Sequence, residues 1–233
     1  MRLGHMTRMK NALSLAAIAA LLALPLAASA QDLRPRTGVT SNLAAPTSIE
    51  GAEREAALAR ANASLNAITR MQGRFVQAAP DGSRAGGQFY LERPGKLRFE
   101  YDPPATMLIV SDGNVVALRD TALRTTDRTP LESTPLNLIL GARINLERDA
   151  RIVRVSESGP WLLVTAQDRS GQTDGRITLN FYGPEAELRS WDVIDATGAR
   201  TRITLQDVTQ PASLARSLFR LEDMLERGGG PRR

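Results

Sequence analysis

The sequence predicts a mainly β protein with a few helices, built on an antiparallel sheet that curls under its own twist. About ten short segments alternate apolar and polar residues, which is typical of half-buried strands. Clusters of Gly, Pro, Asn and Asp separate consecutive segments, so the strands follow one another as hairpins in a meander. Their apolar faces exceed what one side of a flat sheet could bury. A curved sheet with helices across its concave face would cover them.

The central stretch, residues 88–118, shows the strand pattern most clearly. The inward-facing positions of its first two strands are Phe89, Leu91, Leu97, Phe99 and Tyr101. Pro94-Gly95 turns the chain between them, and Asp102-Pro103-Pro104 ends the second, because proline cannot donate to a strand ladder. Residues 107–110 are apolar on both faces. Asp112-Gly113-Asn114 is then a hairpin turn into a fourth strand, residues 115–118.

A helix is predicted to begin near Ser48, ahead of these strands. Thr47 and Glu50 have the spacing of a capping box. The apolar positions that recur at helical spacing are Leu58, Ala61, Leu65 and Ile68. A strand at 74–77 and a turn at 80–83 follow, so the apolar face of the helix is expected to pack on the sheet.

A second, shorter helix is predicted after a strand at 123–128. Ser133-Thr134 offers a hydroxyl N-cap, Pro135 the first helical position, and Gly141 the end. Its apolar face consists of Leu136, Ile139 and Leu140. An apolar helix in a strand-rich chain indicates a plug or lid, with a connector packed on the outside as the alternative. Five further strands are predicted at 152–156, 161–166, 176–182, 188–194 and 201–208, before a final apolar docking segment at 214–221.

The first 30 residues have the features of a secretory signal peptide. Arg2, Arg8 and Lys10 precede an apolar run at 12–26, and Ala28-Ser29-Ala30 is a small-residue cleavage site. An uncleaved membrane anchor is the alternative, but the run is short for a span. We expect cleavage after Ala30, and therefore export.

The rest of the chain divides by composition. Residues 31–49 contain Pro, Thr, Ser and Asn without apolar periodicity and are predicted to be a flexible leader. Residues 50–225 form the folded domain, and residues 226–233 a disordered tail. Removing the three basic residues of the signal peptide from 30 leaves 27 against 25 acidic residues, a net charge of +2. The arginines are scattered, which does not favour nucleic-acid binding.

The residue types argue against catalysis and metal binding. The single histidine, His5, lies in the signal peptide, and the chain has no cysteine. The usual zinc sites, His-activated nucleophiles and an acylated N-terminal cysteine are therefore missing. Carboxylates that could act as a general acid/base pair on a glycan are Glu92, Glu100, Asp102 and Asp120. Each lies beside an arginine, at a strand end or in a turn, which favours a solvated role. Residues 168–174 lack the ligand spacing of an EF-hand. We expect no enzyme, metal or cofactor.

Incomplete packing inside the curved sheet would leave an apolar cavity for acyl chains. Burial contributes about 0.8 kcal/mol per methylene, so such a cavity binds without a catalytic residue. A fully packed core is the alternative, and the residue pattern alone does not choose between them.

Several motifs resemble the core signature of the periplasmic outer-membrane lipoprotein carriers, the LolA family. They are R-P-G-K-L-R-F-E-Y-D-P-P at 93–104 and I-V-S-D-G-N-V-V at 109–116, flanked by F-x-Q at 75–77 and T-P-L-N-L-I-L at 134–140. The resemblance spans about 54–222. Val115, Val116 and Ala117 stand where the family commonly has an aromatic residue after the D-G turn.

The resemblance implies an incomplete (half) antiparallel β-barrel with a helical lid over an apolar cavity. The predicted lipid-binding cavity, which combines family positions with inward strand faces, consists of Phe89, Leu91, Leu97, Phe99, Tyr101, Leu108, Val110, Leu138, Ile139, Trp161 and Leu163. Arg93 matches the family arginine that bonds to the lid and holds the empty cavity closed.

The implied function is that of a monomeric, soluble periplasmic carrier. It would take lipoproteins from an inner-membrane lipoprotein-releasing ABC transporter, shield their acyl chains, and pass them to an outer-membrane receptor. The receptor itself is excluded, because it needs the acylated cysteine that this chain lacks. A related half-barrel lipoprotein sensor and a glycolipid-binding periplasmic protein are the alternatives.

Overall fold

A computed structural model of the protein describes residues 45–169 and 175–221. The expected signal peptide (1–30), residues 31–44 of the expected leader and the expected tail (226–233) lie outside the described residues. Within them, twelve strands form one antiparallel sheet that is not closed into a barrel. The prediction of a mainly β fold with an incomplete antiparallel barrel is confirmed.

The strands form two runs of consecutive hairpins. They are β1 Thr47–Ser48, β2 Arg70–Ala78, β3 Arg84–Glu92, β4 Lys96–Tyr101, β5 Met107–Asp112, β6 Val115–Asp120, β7 Thr125–Pro130, β8 Arg151–Ser158, β9 Trp161–Gln167, β10 Arg176–Tyr182, β11 Glu187–Ile194 and β12 Arg200–Thr209. The order across the sheet is β1-β8-β9-β10-β11-β12-β2-β3-β4-β5-β6-β7. Pairing of β12 with β2 therefore joins the two runs, and β1 and β7 are the edges.

In the part of the chain that the structure describes, three α-helices and two 3-10 helices complete the fold. They are α1 Gly51–Ala67, α2 Asn137–Leu140, α3 Leu146–Asp149 and the 3-10 helices Leu131–Ser133 and Arg216–Phe219. No helix in the described ranges is both long and apolar enough to cross a membrane.

Helix α1 buries the apolar stripe that its sequence predicts. Ala57, Leu58, Ala61 and Leu65 are buried, and the helix packs against β8 and β11. The predicted capping box is wrong. Thr47 is paired with Glu157 in the sheet, and the Glu50 N-cap makes no side-chain hydrogen bond to the helix. The helix therefore begins at Gly51, after the edge strand β1.

The segment between β7 and β8 crosses the concave face of the sheet, and we refer to residues 131–149 as the lid segment. Its apolar side chains that are buried in the main core are Leu131, Leu138, Ile139, Leu140, Ile144 and Leu146. Pro135 is not its first helical position, because α2 begins only at Asn137. The Thr134 hydroxyl donates backwards to the Leu131 carbonyl over 2.8 Å and does not cap α2. The predicted helix is thus reduced to the four residues of α2, and a 3-10 turn at Leu131–Ser133 precedes it.

Two asparagines of α1 attach the helix to the lid segment. Asn66 donates to the Ile144 carbonyl over 2.8 Å and accepts from the Ile144 N–H over 3.0 Å. Asn62 accepts from the Leu146 N–H over 2.9 Å. Because these bonds use both amide groups of Asn66, α1 and the lid segment form one connected cover over the sheet.

The opposite face of the sheet carries a second, smaller apolar cluster. Val110 and Ala117 are buried there, with Leu108 and Leu221 packed against them. The C-terminal 3-10 helix packs on β4 and β5, where Arg98 donates to the Leu218 carbonyl over 3.4 Å. The predicted C-terminal docking segment therefore covers the outer face of the sheet rather than its cavity side.

Strand β7 begins two residues later than the predicted strand at 123–128. Asp120 accepts hydrogen bonds from the N–H groups of Ala122 and Leu123 and so forms a turn. Arg124 continues the turn with φ +57°, a left-handed value that a strand does not use. Because β7 begins and ends two residues later than predicted, its buried residue is Thr129, which lies outside the predicted range.

Candidate ligand cavity

The concave face of the sheet and the lid segment enclose an apolar cavity of about 30 Å³. Its lining residues are Leu97, Phe99, Ile109, Val116, Leu118, Asp127, Thr129, Leu136, Trp191 and Ile203. Strands β4 to β7 supply one wall, β11 and β12 the other, and the lid segment contributes Leu136. The two walls meet at Phe99 and Trp191, whose rings lie edge to face with centroids 6.2 Å apart.

The size of this cavity restricts what it can hold in the closed arrangement. A volume of about 30 Å³ accommodates two or three water molecules, whereas an apolar cavity of about 150 Å³ is known to hold one benzene. An acyl chain therefore does not fit unless the lid segment and α1 move away from the sheet.

A group of aromatic side chains packs beside the β4 wall on the same face of the sheet. Phe75 lies edge to face against Phe99 at 4.7 Å and against Tyr101 at 4.9 Å, and Phe89 stacks on Phe99 at 5.9 Å. Such pairs contribute about 0.5–1.5 kcal/mol beyond the area they bury. The Tyr101 hydroxyl donates to Gln77 over 2.5 Å, and burial raises the pKa of Tyr101. The phenol therefore stays neutral, and the wall is rigid and apolar.

The structure places the predicted cavity residues in three groups. Leu97 and Phe99 line the cavity directly. Residues that are buried in the same core but do not line the cavity are Phe89, Leu91, Tyr101, Leu138 and Ile139. Leu108, Val110, Trp161 and Leu163 lie on the outer face, so their assignment to the cavity is wrong.

The error at Leu108 and Val110 arises from a strand that is apolar on both faces. Ile109 is paired with Phe99, and both side chains line the cavity. Val110 consequently points to the outer face, where it packs with Ala117. The run Met107 to Val110 offers an apolar residue at every position, so its period does not show which face is inward.

The same ambiguity affects Trp161 and Leu163 in β9. Leu162 and Val164 are the buried core residues of this strand. Trp161 instead lies edge to face against the exposed Tyr182 of the neighbouring strand, with ring centroids 5.0 Å apart. The predicted alternation of β9 between the two faces is confirmed, but its inward residues are Leu162 and Val164 rather than Trp161 and Leu163.

Sequence reasoning missed most of the lining residues that come from outside β4. They are Ile109, Val116, Leu118, Asp127, Thr129, Leu136, Trp191 and Ile203. Leu136 was on the predicted apolar face of the lid helix, and this was a usable signal. Trp191 had no such signal, because a bulge in β11 opposite Asn180 and Phe181 interrupts the alternation of inward and outward residues. Leu188 and Trp191 are thus both buried in the core although they are three residues apart.

The polar part of the lining comes from the edge strand β7. Asp127 lies opposite Leu118, and Thr129 opposite Val116, in the ladder with β6. An inward-pointing charge and a terminal proline, here Pro130, are typical of edge strands that resist pairing with another chain. Asp127 is exposed, so solvent screens its charge.

Arg93 lies in the turn between β3 and β4, next to the carbonyl ends of two helices. Its guanidinium donates to the Gly141 carbonyl from Nε over 2.9 Å and from Nη2 over 2.6 Å. It also donates to the carbonyls of Leu65, Ile68 and Ala142. Burial lowers the pKa of Arg93, but an arginine remains charged at neutral pH. The turn therefore contacts both α1 and the lid segment through one side chain.

The backbone of the same turn makes a further contact with the lid segment. The Gly95 N–H donates to the Leu140 carbonyl over 2.8 Å, and the Gly95 carbonyl accepts from the Ser111 hydroxyl over 2.7 Å. The last carbonyls of a helix have no partner within it, so such donors satisfy groups that would otherwise be buried unpaired.

The carboxylates considered for catalysis are engaged elsewhere. Glu92 pairs with Arg70 and Lys96, while Glu100 pairs with Arg98. Asp102 pairs with Arg74, and Asp120 accepts from the Thr106 hydroxyl over 2.9 Å. None of these four lines the cavity. Among the described residues, no three His, Cys, Asp or Glu side chains are grouped so as to hold a metal ion.

An open antiparallel sheet, curled around an apolar cavity and crossed by a helical cover, defines a half-barrel protein. The family model described as outer membrane lipoprotein carrier protein LolA matches residues 66–222. The chain belongs to this family.

Individual relatives agree with the family model. An outer-membrane lipoprotein carrier protein of Chromohalobacter salexigens is 29% identical over 91% of this chain and 96% of its own length. A protein of the same name from Methylibium petroleiphilum is 30% identical over 60% of this chain and 71% of its own. A solved LolA-superfamily protein of Nitrosomonas europaea aligns with a TM-score of 0.43 and 14% identity, covering 72% of this chain and 98% of that one.

Proposed function

We propose that the protein is a periplasmic carrier that shields the acyl chains of lipoproteins in its apolar cavity. The observation that carries the proposal is the cavity between the two strand runs, whose lining is apolar apart from Asp127 and Thr129. Family membership supports it, because the matched relatives are named outer-membrane lipoprotein carrier proteins. Such a task needs binding only, so the proposed carrier is not an enzyme.

Burial of apolar surface would supply the affinity for cargo. Each acyl methylene removed from water contributes about 0.8 kcal/mol, so ten contribute about 8 kcal/mol. The closed cavity is too small for a chain, and loading therefore separates the lid segment and α1 from the sheet. Part of the binding free energy offsets this opening.

Arg93 is the proposed latch of the closed form. Hydrogen bonds from a charged donor contribute about 1.5–3 kcal/mol, and those of Arg93 reach the ends of α1 and α2 together. Opening breaks these bonds, and release of the cargo re-forms them. The latch therefore weakens loading and favours delivery, which suits a carrier that must give up what it binds.

The proposed route starts at an inner-membrane lipoprotein-releasing ABC transporter and ends at an outer-membrane lipoprotein receptor. The expected signal peptide, cleaved after Ala30, would bring the chain into the periplasm between them. The carrier would act as a monomer without a cofactor.

Purification of the mature protein from its native periplasm tests the proposal. Mass spectrometry of the co-purifying material should find peptides that carry acyl chains. Recovery of glycolipid alone would favour the alternative of a glycolipid-binding relative. Protein that never carries an acylated species, even when secretion of lipoproteins is increased, would contradict the carrier function.

A further inference from the structure

One cavity-lining residue carries a buried polar atom that has no partner among the described residues. Trp191 is only 4% exposed and lines the cavity, and its indole Nε1 makes no hydrogen bond among the described residues. A buried donor without an acceptor is rare and destabilising, since its desolvation is not compensated. Tyr101, by contrast, directs its buried hydroxyl to Gln77. The Nε1 atom has almost no accessible surface in the closed form, so this unused donor would meet a ligand only when the cover over the sheet moves away.

The position of Trp191 suits a fixed recognition group. It belongs to β11, where it is paired with Leu179 and Ile203 on the two neighbouring strands. The sheet holds this residue on both sides, whereas the cover formed by α1 and the lid segment must move to admit a chain. The indole N–H would therefore keep its place during loading.

The surroundings of Trp191 decide which acceptor it would take. The neighbouring lining side chains, Phe99 and Ile203, are apolar, and the charged member of the lining is the acidic Asp127. A free carboxylate would enter this site without a cationic partner among the lining residues, which is costly in an apolar environment. A neutral carbonyl accepts the same hydrogen bond without that cost.

We infer that Trp191 is a specificity-determining residue that binds the neutral carbonyl of an acyl ester or amide. The cavity thus distinguishes an acyl chain linked to its cargo from a plain hydrocarbon and from a free fatty acid. This inference rests on the proposed function, because it assumes that acyl chains enter the cavity.

The test compares three ligands of similar length: methyl hexadecanoate, heptadecane and hexadecanoate. The affinity of each ligand is measured by its displacement of an environment-sensitive apolar dye. The measurement is made on the wild type, on Trp191→Phe and on Trp161→Phe. Phenylalanine keeps an aromatic ring but removes the N–H. Trp161, on the outer face, is the matched control. We expect the ester to bind wild type about 3- to 10-fold more tightly than heptadecane. Trp191→Phe should lose this preference, measured as the ratio of ester to heptadecane affinity, and Trp161→Phe should keep it.

Nuclear magnetic resonance adds a readout that a purely structural role would not change. The chain has two tryptophans, so Trp161→Phe identifies the Trp191 indole N–H resonance. Its proton should move downfield with the ester and not with heptadecane. Uptake of all three ligands with equal affinity by wild type and Trp191→Phe would overturn the inference and leave the carrier function intact. Failure of wild type to bind any of them would overturn both.

Discussion

The carbonyl of Gly141 accepts two hydrogen bonds from the Arg93 guanidinium, from Nε over 2.9 Å and from Nη2 over 2.6 Å. Gly141 lies directly after α2, and Arg93 lies in the turn that follows β3. A single side chain thus connects the rim of the sheet to the end of the lid helix, 48 residues further along the chain.

Arg93→Leu should separate loading from delivery. Loss of the latch removes about 1.5–3 kcal/mol from the closed form, so the variant should bind cargo at least as well as wild type but deliver it poorly. Arg93→Lys should restore delivery only in part, because an ammonium lacks the planar fork of donors. Reconstituted loading and transfer measure both steps. Normal delivery by the leucine variant would leave the latch without support.

Phe99→Glu should abolish binding of apolar ligands. An unpaired carboxylate on the cavity wall costs more than the roughly 2–7 kcal/mol of an unpaired neutral polar group. Leu163→Glu is the control, since Leu163 lies on the outer face of a strand whose neighbours Leu162 and Val164 face the core. Ligand displacement should fail for the first variant and succeed for the second, with circular dichroism showing that both retain the sheet. The reverse result would mean that the faces of these strands are assigned incorrectly.

Gly95→Ala should destabilise the protein more than Gly183→Ala. Both glycines have φ near +77°, so an alanine costs about 1–2 kcal/mol at either site. At residue 95, however, the new Cβ would lie 2.5 Å from the Gly113 Cα, while at residue 183 it would meet nothing within 4 Å. We expect a further loss of about 1–3 kcal/mol from overpacking at Gly95. Urea unfolding of the two variants provides the comparison, and equal midpoints would contradict this contact.

Asp192 should make stability depend on pH in the acid range. Burial alone would raise the pKa of this carboxyl, but hydrogen bonds from Arg202, Arg200 and Asn180 outweigh it and lower the pKa to about 2. Because the folded pKa lies below the unfolded value of 3.8, the stabilisation is present above pH 4 and is lost as the pH falls towards 2. The difference corresponds to about 2 kcal/mol.

Asp192→Asn tests this dependence. The variant should be less stable than wild type at pH 7 and should lose less free energy of unfolding between pH 4 and pH 2. Asp102→Asn is the matched control, because its ion pair with Arg74 is about half exposed and such pairs contribute about 0–1 kcal/mol. If the free energies of unfolding of wild type and Asp192→Asn fall in parallel down to pH 2, the lowered pKa of Asp192 would be contradicted.

Local patterns were sufficient for most strands and for the apolar stripe of α1, but they did not predict β1 or α3. The alternation of Leu97, Phe99 and Tyr101 predicted an inward face that the structure confirms, as did the stripe of Leu58, Ala61 and Leu65 in α1. These segments have polar residues on their other side, so only one orientation buries the apolar set. Turn chemistry likewise located most of the hairpins.

The composition of the cavity wall could not be predicted in the same way. Ile109, rather than Val110, faces inward because β5 pairs with β4 in a particular register, and an all-apolar run carries no information about it. Trp191 reaches the wall because the sheet curls until β11 lies across from β4. Contacts between strands 92 residues apart depend on this curvature and on a bulge, and neither leaves a periodic signal in the sequence.

For the proposed carrier, the small volume of the closed cavity would set the order of events during uptake. Since about 30 Å³ admits no acyl chain, opening must precede entry, and the open fraction of molecules scales the apparent affinity. At high cargo concentration, the observed uptake rate should then reach a plateau equal to the rate of opening. Arg93 would govern this plateau as well as the equilibrium, so the same side chain would set how often each molecule becomes available to receive cargo.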